Sequence, residues 1–223
     1  TRLELGSDAA DAKDMTPRLR AAVLDEFERL SSDGYRAVAV AYRTIGNGRE
    51  VYSIADESNM TFVGYVSFVD PPKESTREAL EQAEALGVEI KILTGDNELV
   101  TARICERVGL KVKGVLMGQD VDALDDGELA ARAEQATVCA RLSPDQKDRI
   151  IAALKRSGHV VGYMGDGIND APSLRTADVG VSVSNAVDVA REAADIILLE
   201  EALRVLETGI VEGRKTFANT LKY

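Results

Sequence analysis

The sequence predicts an α/β protein whose core is a parallel, doubly wound sheet. From residue 61 onward, short apolar segments alternate with segments of helical periodicity, which is typical of strands and helices that wind around a parallel sheet. Polar, glycine-containing turns directly follow two of the apolar segments, at the edge where open sheets of this class bind ligands. The 223 residues are enough to bury a core in one large or two modest domains.

The first part of the chain has a different pattern. Residues 18–30 carry apolar side chains at helical spacing, Gly34 interrupts that spacing, and residues 35–42 alternate as a strand. Residues 43–59 are rich in glycine, asparagine and serine and predict a turn followed by a linker. We therefore expect one domain over residues 1–59 and a second over residues 60–202.

The second domain is expected to contain six strands and four well-marked helices. The predicted strands are 61–69, 88–93, 137–141, 159–164, 179–183 and 195–199, and the predicted helices are 75–86, 98–108, 126–135 and 145–156. Residues 203–223 read as one long helix with no stop signal. No uninterrupted apolar run approaches the roughly 18 residues needed to span a bilayer.

The most informative segment is MGDGINDAPSL, residues 164–174, which combines two aspartates, an asparagine and two glycines. It lies where an apolar strand becomes a helix. Asp166 and Asp170 offer hard oxygen ligands, which suit a Mg²⁺ ion that keeps several waters and binds phosphate oxygens. The two glycines let backbone approach a ligand closely. The alternative is an ordinary helix N-terminus capped by Asn169 or Asp170.

A second polar turn follows the strand predicted at residues 88–93. Thr94 and Gly95 supply a hydroxyl and a backbone N–H at the strand end, and the next helix directs further N–H groups to the same place. This arrangement predicts a phosphate cradle. Asp96 continues the turn, and the alternative is that it serves only as the N-cap of the helix over residues 98–108.

The third candidate is a lysine. Pro144 marks the first turn of a helix, and Lys147 follows within that turn, just beyond the strand predicted at residues 137–141. A lysine there can reach a phosphate as a compact positive charge. The alternative is a solvated lysine, although a cation at this end opposes the helix dipole.

Composition excludes some classes of function. The formal net charge is −11, so nucleic-acid binding is not expected. Cys105 and Cys139 form no CxxC motif and are expected as small buried side chains in a reducing compartment.

These motifs together resemble the phosphorylation domain of P-type ATPases, within the haloacid dehalogenase superfamily. The strings that carry the resemblance are FVDPPKES (68–75), ILTGDNELVTA (92–102), SPDQK (143–147), MGDGINDAPSL (164–174) and GYRAVAVAYR (34–43). Residues 165–200 and the final RKTFANTLKY are most similar to the bacterial magnesium-translocating P-type ATPases. The resemblance implies a Rossmann-like sheet of the haloacid dehalogenase type.

The resemblance also implies a domain plan. Residues 1–59 would be the C-terminal part of an α+β nucleotide-binding domain, and residues 60–202 the phosphorylation domain. Residues 203–223 would be a stalk helix that leads to a transmembrane segment. The intact protein would then be an ATP-driven cation pump, with its catalytic part at the cytoplasmic face of the cell membrane and Mg²⁺ as the transported ion.

By the same resemblance, one group of residues would serve phosphoryl transfer. Thr94 and Gly95 would bind the transferred group, Lys147 would neutralise its charge, and Asp166 would coordinate Mg²⁺. Asn169 and Asp170 would orient the metal waters and the phosphate, with Asp170 as the second metal-site residue.

A second group would serve ATP and the hinge between the domains. Arg36 would contact the ATP phosphates, and Asp96 would lie at the hinge near the nucleotide. Asp70 and Lys73 would brace that hinge. Lys73 departs from the pattern, because many pumps carry arginine there and a lysine lacks the bidentate fork.

The larger departure is that the phosphorylated aspartate of these pumps, in a DKTGT string, does not occur in this chain. We therefore expect the nucleophile to lie outside it, so that this chain alone forms no phosphoenzyme. In the superfamily the nucleophile strand is central to the sheet, so its absence would leave unpaired strand edges. The alternatives are a stand-alone phosphatase of the dehalogenase type and a non-catalytic regulatory module with the same fold.

Overall fold

The structure, a computed structural model, describes residues 13–45, 51–69, 71–200 and 203–222. It consists of two compact units, Thr1–Asp70 and Pro71–Tyr223.

The first unit is a helix followed by a two-stranded antiparallel sheet. Its elements are α1 (Pro17–Ser32), β1 (Arg36–Tyr42), a short 3₁₀ turn (Ile54–Asp56) and β2 (Thr61–Phe68). The Thr16 side chain accepts the Leu19 N–H at 3.2 Å and caps α1. Tyr65 of β2 packs beside Phe27 of α1, and its hydroxyl donates to the Val23 carbonyl at 3.0 Å.

The expectation that residues 61–69 open the parallel sheet was wrong. This segment, β2, pairs antiparallel with β1 along its whole length. Its β-branched and aromatic residues specify a strand but not the direction of its partner. The first unit therefore extends about ten residues beyond the boundary expected after residue 59.

The second unit alternates strands and helices. In chain order its elements are α2 (Ser75–Ala85), β3 (Ile92–Leu93), α3 (Glu98–Val108), β4 (Val115–Met117), α4 (Gly118–Ala123), α5 (Asp126–Gln135), β5 (Val138–Ala140), α6 (Pro144–Arg156), β6 (Gly162–Met164), α7 (Ala171–Thr176), β7 (Val179–Val183), α8 (Asp188–Ala193), β8 (Ile196–Leu198) and α9 (Leu203–Thr220). A 3₁₀ turn, Ile168–Asp170, precedes α7. The strands pair in parallel throughout, which confirms the predicted α/β class.

The six parallel strands form two three-stranded sheets, in the orders β3-β5-β4 and β6-β7-β8. Helix α6 covers both, because Ile150 packs into the core beneath one sheet and Ile151 into the core beneath the other. Leu93 and Val161 contact both cores. The two sheets thus share one interior, although no ladder of hydrogen bonds joins them within the part of the chain that the structure describes.

Three elements of this unit were not predicted: β4, α4 and α8. Each has three to six residues, too few for a periodic pattern to show. Cys105 and Cys139 are free and buried, as expected. Burial raises the pKa of both thiols, that of Cys139 to about 11.

Helix α9 packs along α2. The Arg214 guanidinium of α9 donates to the Leu86 carbonyl at the end of α2, at 2.6 Å. Among the described residues, no helix has both the length and the hydropathy of a membrane span.

Candidate active site

The candidate site lies at the carboxyl ends of β3 and β6 and includes the first turn of α6. Lys147 of α6 and Asp170, the last residue of the turn before α7, form its centre. The Lys147 Nζ lies 2.9 Å from Asp170 Oδ1, and each side chain is only 14% exposed. The alternative of a solvated Lys147 is therefore wrong.

Tyr163 of β6 completes this centre. Its hydroxyl donates to the same Asp170 Oδ1 at 2.6 Å, and the Lys147 Nζ lies 3.4 Å from the tyrosine oxygen. The second oxygen of Asp170 accepts the Gly167 N–H at 3.1 Å. The Asp170 carboxylate thus has three donors, which fix its position.

The electrostatics of this centre favour an ionised aspartate and a neutral tyrosine. Burial by itself would raise the pKa of Asp170, but the hydrogen bonds from Tyr163, Lys147 and the Gly167 N–H lower that pKa below its usual value. Burial raises the pKa of Tyr163, and the adjoining Asp170 raises it further. Tyr163 therefore acts as a hydrogen-bond donor at neutral pH.

The glycines of the GDG turn make room for Asp170. A Cβ on Gly165 would lie 2.5 Å from the Asp170 Cβ, so no other residue fits there without moving the aspartate. The buried Ser182 of β7 donates its hydroxyl to the Gly165 carbonyl at 2.9 Å and fixes the turn from the other side. We expected the glycines to let backbone approach a ligand closely, but at Gly165 the close neighbour is the Asp170 side chain.

The capping alternative for this segment does not describe what the side chains do. Neither Asn169 nor Asp170 makes a side-chain cap to α7, and the Asp170 carboxylate instead closes the preceding 3₁₀ turn. Asn169 is exposed in that turn.

The second turn, Thr94 to Asn97, is held by the end of β5. The Thr94 N–H donates to the Cys139 carbonyl at 2.9 Å, and the Leu142 N–H donates to the Thr94 carbonyl at 3.0 Å. The Thr94 hydroxyl accepts the Asp96 N–H at 3.1 Å, so its own hydrogen remains available to a ligand oxygen. Gly95 is exposed beside it.

The helix after this turn is capped by Asn97, whose side chain accepts the Val100 N–H at 2.9 Å. The alternative that Asp96 is only the N-cap of α3 is therefore wrong. Asp96 lies one position earlier and is partly buried.

A Mg²⁺ ion fits this site only if most of its ligands are waters or phosphate oxygens. In the described part of the chain, no three carboxylate, histidine or cysteine side chains cluster as a metal cage would require. Asp166 is exposed at the end of β6, whereas the Asp170 oxygens already accept three hydrogen bonds. One free carboxylate beside bound phosphate is how proteins commonly hold Mg²⁺.

Three further residues were predicted to serve the nucleotide and the hinge, namely Arg36, Asp70 and Lys73. Arg36 is exposed on β1 of the first unit, and Lys73 is exposed just before α2. Asp70 lies outside the described residues. The roles expected for these three residues stay predictions.

Sequence reasoning missed Tyr163 and Ser182. Tyr163 carries the one side-chain hydroxyl in an otherwise apolar strand, and Ser182 is a fully buried polar residue inside β7. A polar group at the centre of a predicted buried strand is the signal that identifies such residues, because buried polar groups need a partner.

Comparison with known proteins identifies the family and several relatives of this chain. The haloacid dehalogenase-like hydrolase family matches residues 4–178. The chain is 56% identical over 196 residues to "Magnesium-transporting ATPase, P-type 1" of Escherichia coli strain K12, covering 88% of this chain and 22% of that protein.

Two further relatives match a similar share of the chain at lower identity. A protein of the same name from Salmonella typhimurium strain LT2 is 48% identical over 94% of this chain and 23% of its own length. "Calcium-transporting ATPase 1" of Lactococcus lactis is 30% identical over 94% of this chain and 24% of its own length. The chain thus spans less than a quarter of the relatives it matches, and it belongs to the haloacid dehalogenase-like hydrolases, with a sequence similar to the P-type ATPases.

Proposed function

We propose that this chain is the cytoplasmic phosphoryl-transfer part of an ATP-driven cation pump, that the transported ion is Mg²⁺, and that the phosphorylated aspartate lies outside the chain. The similarity to proteins named as magnesium-transporting ATPases supports the ion. The proposal includes hydrolysis of ATP as the source of the phosphoryl group and a position at the cytoplasmic face of the membrane.

The observation that carries the proposal is a pair of open strand edges beside the site. Within the described residues, β3 has only β5 as a ladder partner, and β6 has only β7. The Ile92 and Thr94 N–H groups donate to the β5 side, so the backbone groups of Leu93 point to the opposite side. Both open edges end at the candidate active site.

A further parallel strand that pairs with β3 and β6 would satisfy these edges, because unpaired backbone groups are costly in a protein interior. The carboxyl end of such a strand would emerge between Thr94 on one side and Lys147 with Asp170 on the other. An aspartate at that end would have the phosphate-binding groups on both sides. We assign the nucleophile to that position.

In this proposal the chain contributes position and charge, which is most of what a protein supplies to phosphoryl transfer. The Thr94 hydroxyl and the Gly95 N–H bind oxygens of the transferred group. The Lys147 ammonium has three donors, so it contacts a phosphate oxygen while it keeps its bond to Asp170. Tyr163 and the Gly167 N–H hold Asp170 in place during this contact.

Asp166 would hold a Mg²⁺ ion on the phosphate, and Asn169 would help to orient the phosphate and the metal waters. The bound ion would supply positive charge to the phosphate oxygens. Asp170 would orient the waters of the ion. Arg36, Asp96, Asp70 and Lys73 are proposed to serve the nucleotide and the hinge.

The test uses labelled ATP with Mg²⁺, followed by acid precipitation. The full-length protein that contains this chain is expected to carry hydroxylamine-sensitive label, whereas residues 1–223 alone carry none. Label or phosphatase activity on the chain alone would favour the stand-alone phosphatase. No label on either protein would favour the regulatory module.

A matched pair of aspartate substitutions tests the metal assignment in the full-length protein. Asp166→Ala is expected to abolish the label, because the phosphate charge loses its metal ligand. The control is Asp188→Ala, since Asp188 is 82% exposed and forms an ion pair with Arg191 of the same helix. Equal label in the two variants would refute the role of Asp166.

A further inference from the structure

Gln146, the residue before Lys147, uses both atoms of its side-chain amide. Its Oε1 accepts the Ser143 N–H at 2.9 Å, and the Ser143 hydroxyl accepts the Gln146 N–H at 3.3 Å. Its Nε2 donates to the Gly118 carbonyl at 3.0 Å and to the Asp122 carboxylate at 2.7 Å. The oxygen thus caps the N-terminus of α6, whereas the nitrogen connects α6 to α4.

Helix α4 is a fixed anchor for this connection. Gly118, its first residue, is buried, and a Cβ there would lie 2.6 Å from the Gln146 Oε1, so a larger residue would push the glutamine side chain away. Three residues after Gln146, the Arg149 guanidinium donates to the carbonyls of Val121, within α4, and of Leu124, just after it. Val121 is fully buried in the core. Helix α4 is therefore held against α6 at both of its ends.

The N-terminal cap does not explain why this residue is a glutamine. A glutamate accepts the same N–H in a capping box, and its charge suits the positive end of the helix dipole. Glutamate oxygens, however, cannot donate to the Gly118 carbonyl, and they would lie against the Asp122 carboxylate. The donor nitrogen, and hence the connection to α4, is what a glutamine adds at this position.

The connection acts on the backbone that carries Lys147. Consecutive residues of a helix point about 100° apart, so Gln146 contacts α4 while Lys147 contacts Asp170 on a different side of α6. The Lys147 N–H donates to the Ser143 carbonyl at 3.2 Å, within the same first turn. A shift of that turn would therefore move the ammonium from its place 2.9 Å from Asp170.

We propose that Gln146 is a positioning residue for phosphoryl transfer, which connects the first turn of α6 to α4 and thereby holds Lys147 at the phosphoryl group. The proposal rests on the proposed function, because it requires that Lys147 contact the transferred group. Gln146 acts through the lysine and does not itself bind the phosphate. Its effect on the rate is large because a misplacement of about 1 Å can slow a reaction by about a hundredfold.

The test measures the rate of phosphoenzyme formation from labelled ATP in the full-length protein, well below the melting temperature of each variant. Gln146→Glu keeps the cap and loses the connection to α4, and we expect it to slow phosphorylation by about ten- to a hundredfold. Gln146→Met removes the connection without adding charge and should slow phosphorylation at least as much. The matched control is Glu128→Gln, the reverse exchange at the same position of the capping box of α5, which should keep the wild-type rate.

The same substitution in a Lys147→Ala background separates positioning of the lysine from any other effect. There Gln146→Glu is expected to cause no further loss, since the group that it positions is gone. A general disturbance of the fold, or repulsion between the new carboxylate and the phosphate, would slow the Lys147→Ala protein as well and would overturn the proposal. A rate within about twofold of wild type in either single Gln146 variant would also overturn it.

Lys147→Ala alone distinguishes failure of this proposal from failure of the proposed function. If Lys147→Ala is slow and Gln146→Glu is not, only the positioning role is wrong. If Lys147→Ala phosphorylates at the wild-type rate, the role that the proposed function gives to Lys147 is wrong, and the positioning role of Gln146 is wrong with it.

Discussion

Lys147→Ala in the full-length protein is the sharpest test of the candidate site. The substitution removes one partner of a pair whose atoms are 2.9 Å apart and whose side chains are each 14% exposed. In the structure Lys147 partners Asp170, and in the proposed reaction it also partners the phosphoryl group. Its loss leaves negative charge uncompensated on both.

The size of the effect follows from the burial of the pair. Truncating one member of a buried, hydrogen-bonded charge pair costs about 2 to 5 kcal/mol. Asp170 would keep its bonds from Tyr163 and the Gly167 N–H, so we expect the lower part of that range, about 2 to 3 kcal/mol. On a transition-state scale this is about a 30- to 150-fold slower phosphorylation.

The assay is the rate of phosphoenzyme formation from labelled ATP, measured in three variants. Lys147→Arg should recover only part of the rate, because a planar fork replaces a compact charge. Lys155→Ala is the matched control, since Lys155 lies at the other end of α6 and pairs with Asp178 at 3.1 Å. A wild-type rate in Lys147→Ala would remove the lysine from the site and leave Thr94 and Asp166.

Two further predictions concern how Asp170 is held. Tyr163→Phe removes the 2.6 Å donor to Asp170 and should slow phosphorylation by about tenfold, as loss of one buried hydrogen bond to a charged group does. The control is Tyr65→Phe, which removes a hydroxyl that donates to a backbone carbonyl in the first unit and should leave the rate unchanged. Equal rates in the two variants would contradict the role of Tyr163. Gly165→Ala places a Cβ 2.5 Å from the Asp170 Cβ and should lower both the melting temperature and the phosphorylation rate. Gly209→Ala, with nothing within 4 Å of the added carbon, should lower neither, and identical melting curves for the two variants would show that the Gly165 turn tolerates the added carbon.

Much of the site was predictable because its parts are local in sequence. The strand-turn-helix patterns placed Thr94 and Asp166 in turns after strands, and Pro144 placed Lys147 in the first turn of α6. In a parallel sheet such turns lie at the same edge. That shared edge is a property of the fold class, so the sequence predicted it before any contact was known.

The partners of these residues were not predictable. The Lys147–Asp170 pair joins residues 23 positions apart, and the Arg141–Glu98 fork joins residues 43 positions apart. No local pattern encodes which side chains meet at such separations, because the meeting depends on how helices pack on the sheet. The contacts of the Tyr163 hydroxyl with Asp170 and of the Ser182 hydroxyl with the Gly165 carbonyl likewise depend on packing and were not predicted.

The sequence by itself determined the α/β class, most of the helices and the turns that carry the chemistry, since periodicity and turn residues act over a few positions. Only the tertiary structure decided that β2 pairs with β1 in a separate unit and that the parallel strands form two three-stranded sheets. It also decided that Lys147 is buried against Asp170 rather than solvated. The physical reason is that strand pairing and side-chain burial depend on contacts between residues that are far apart in sequence, which no local pattern specifies.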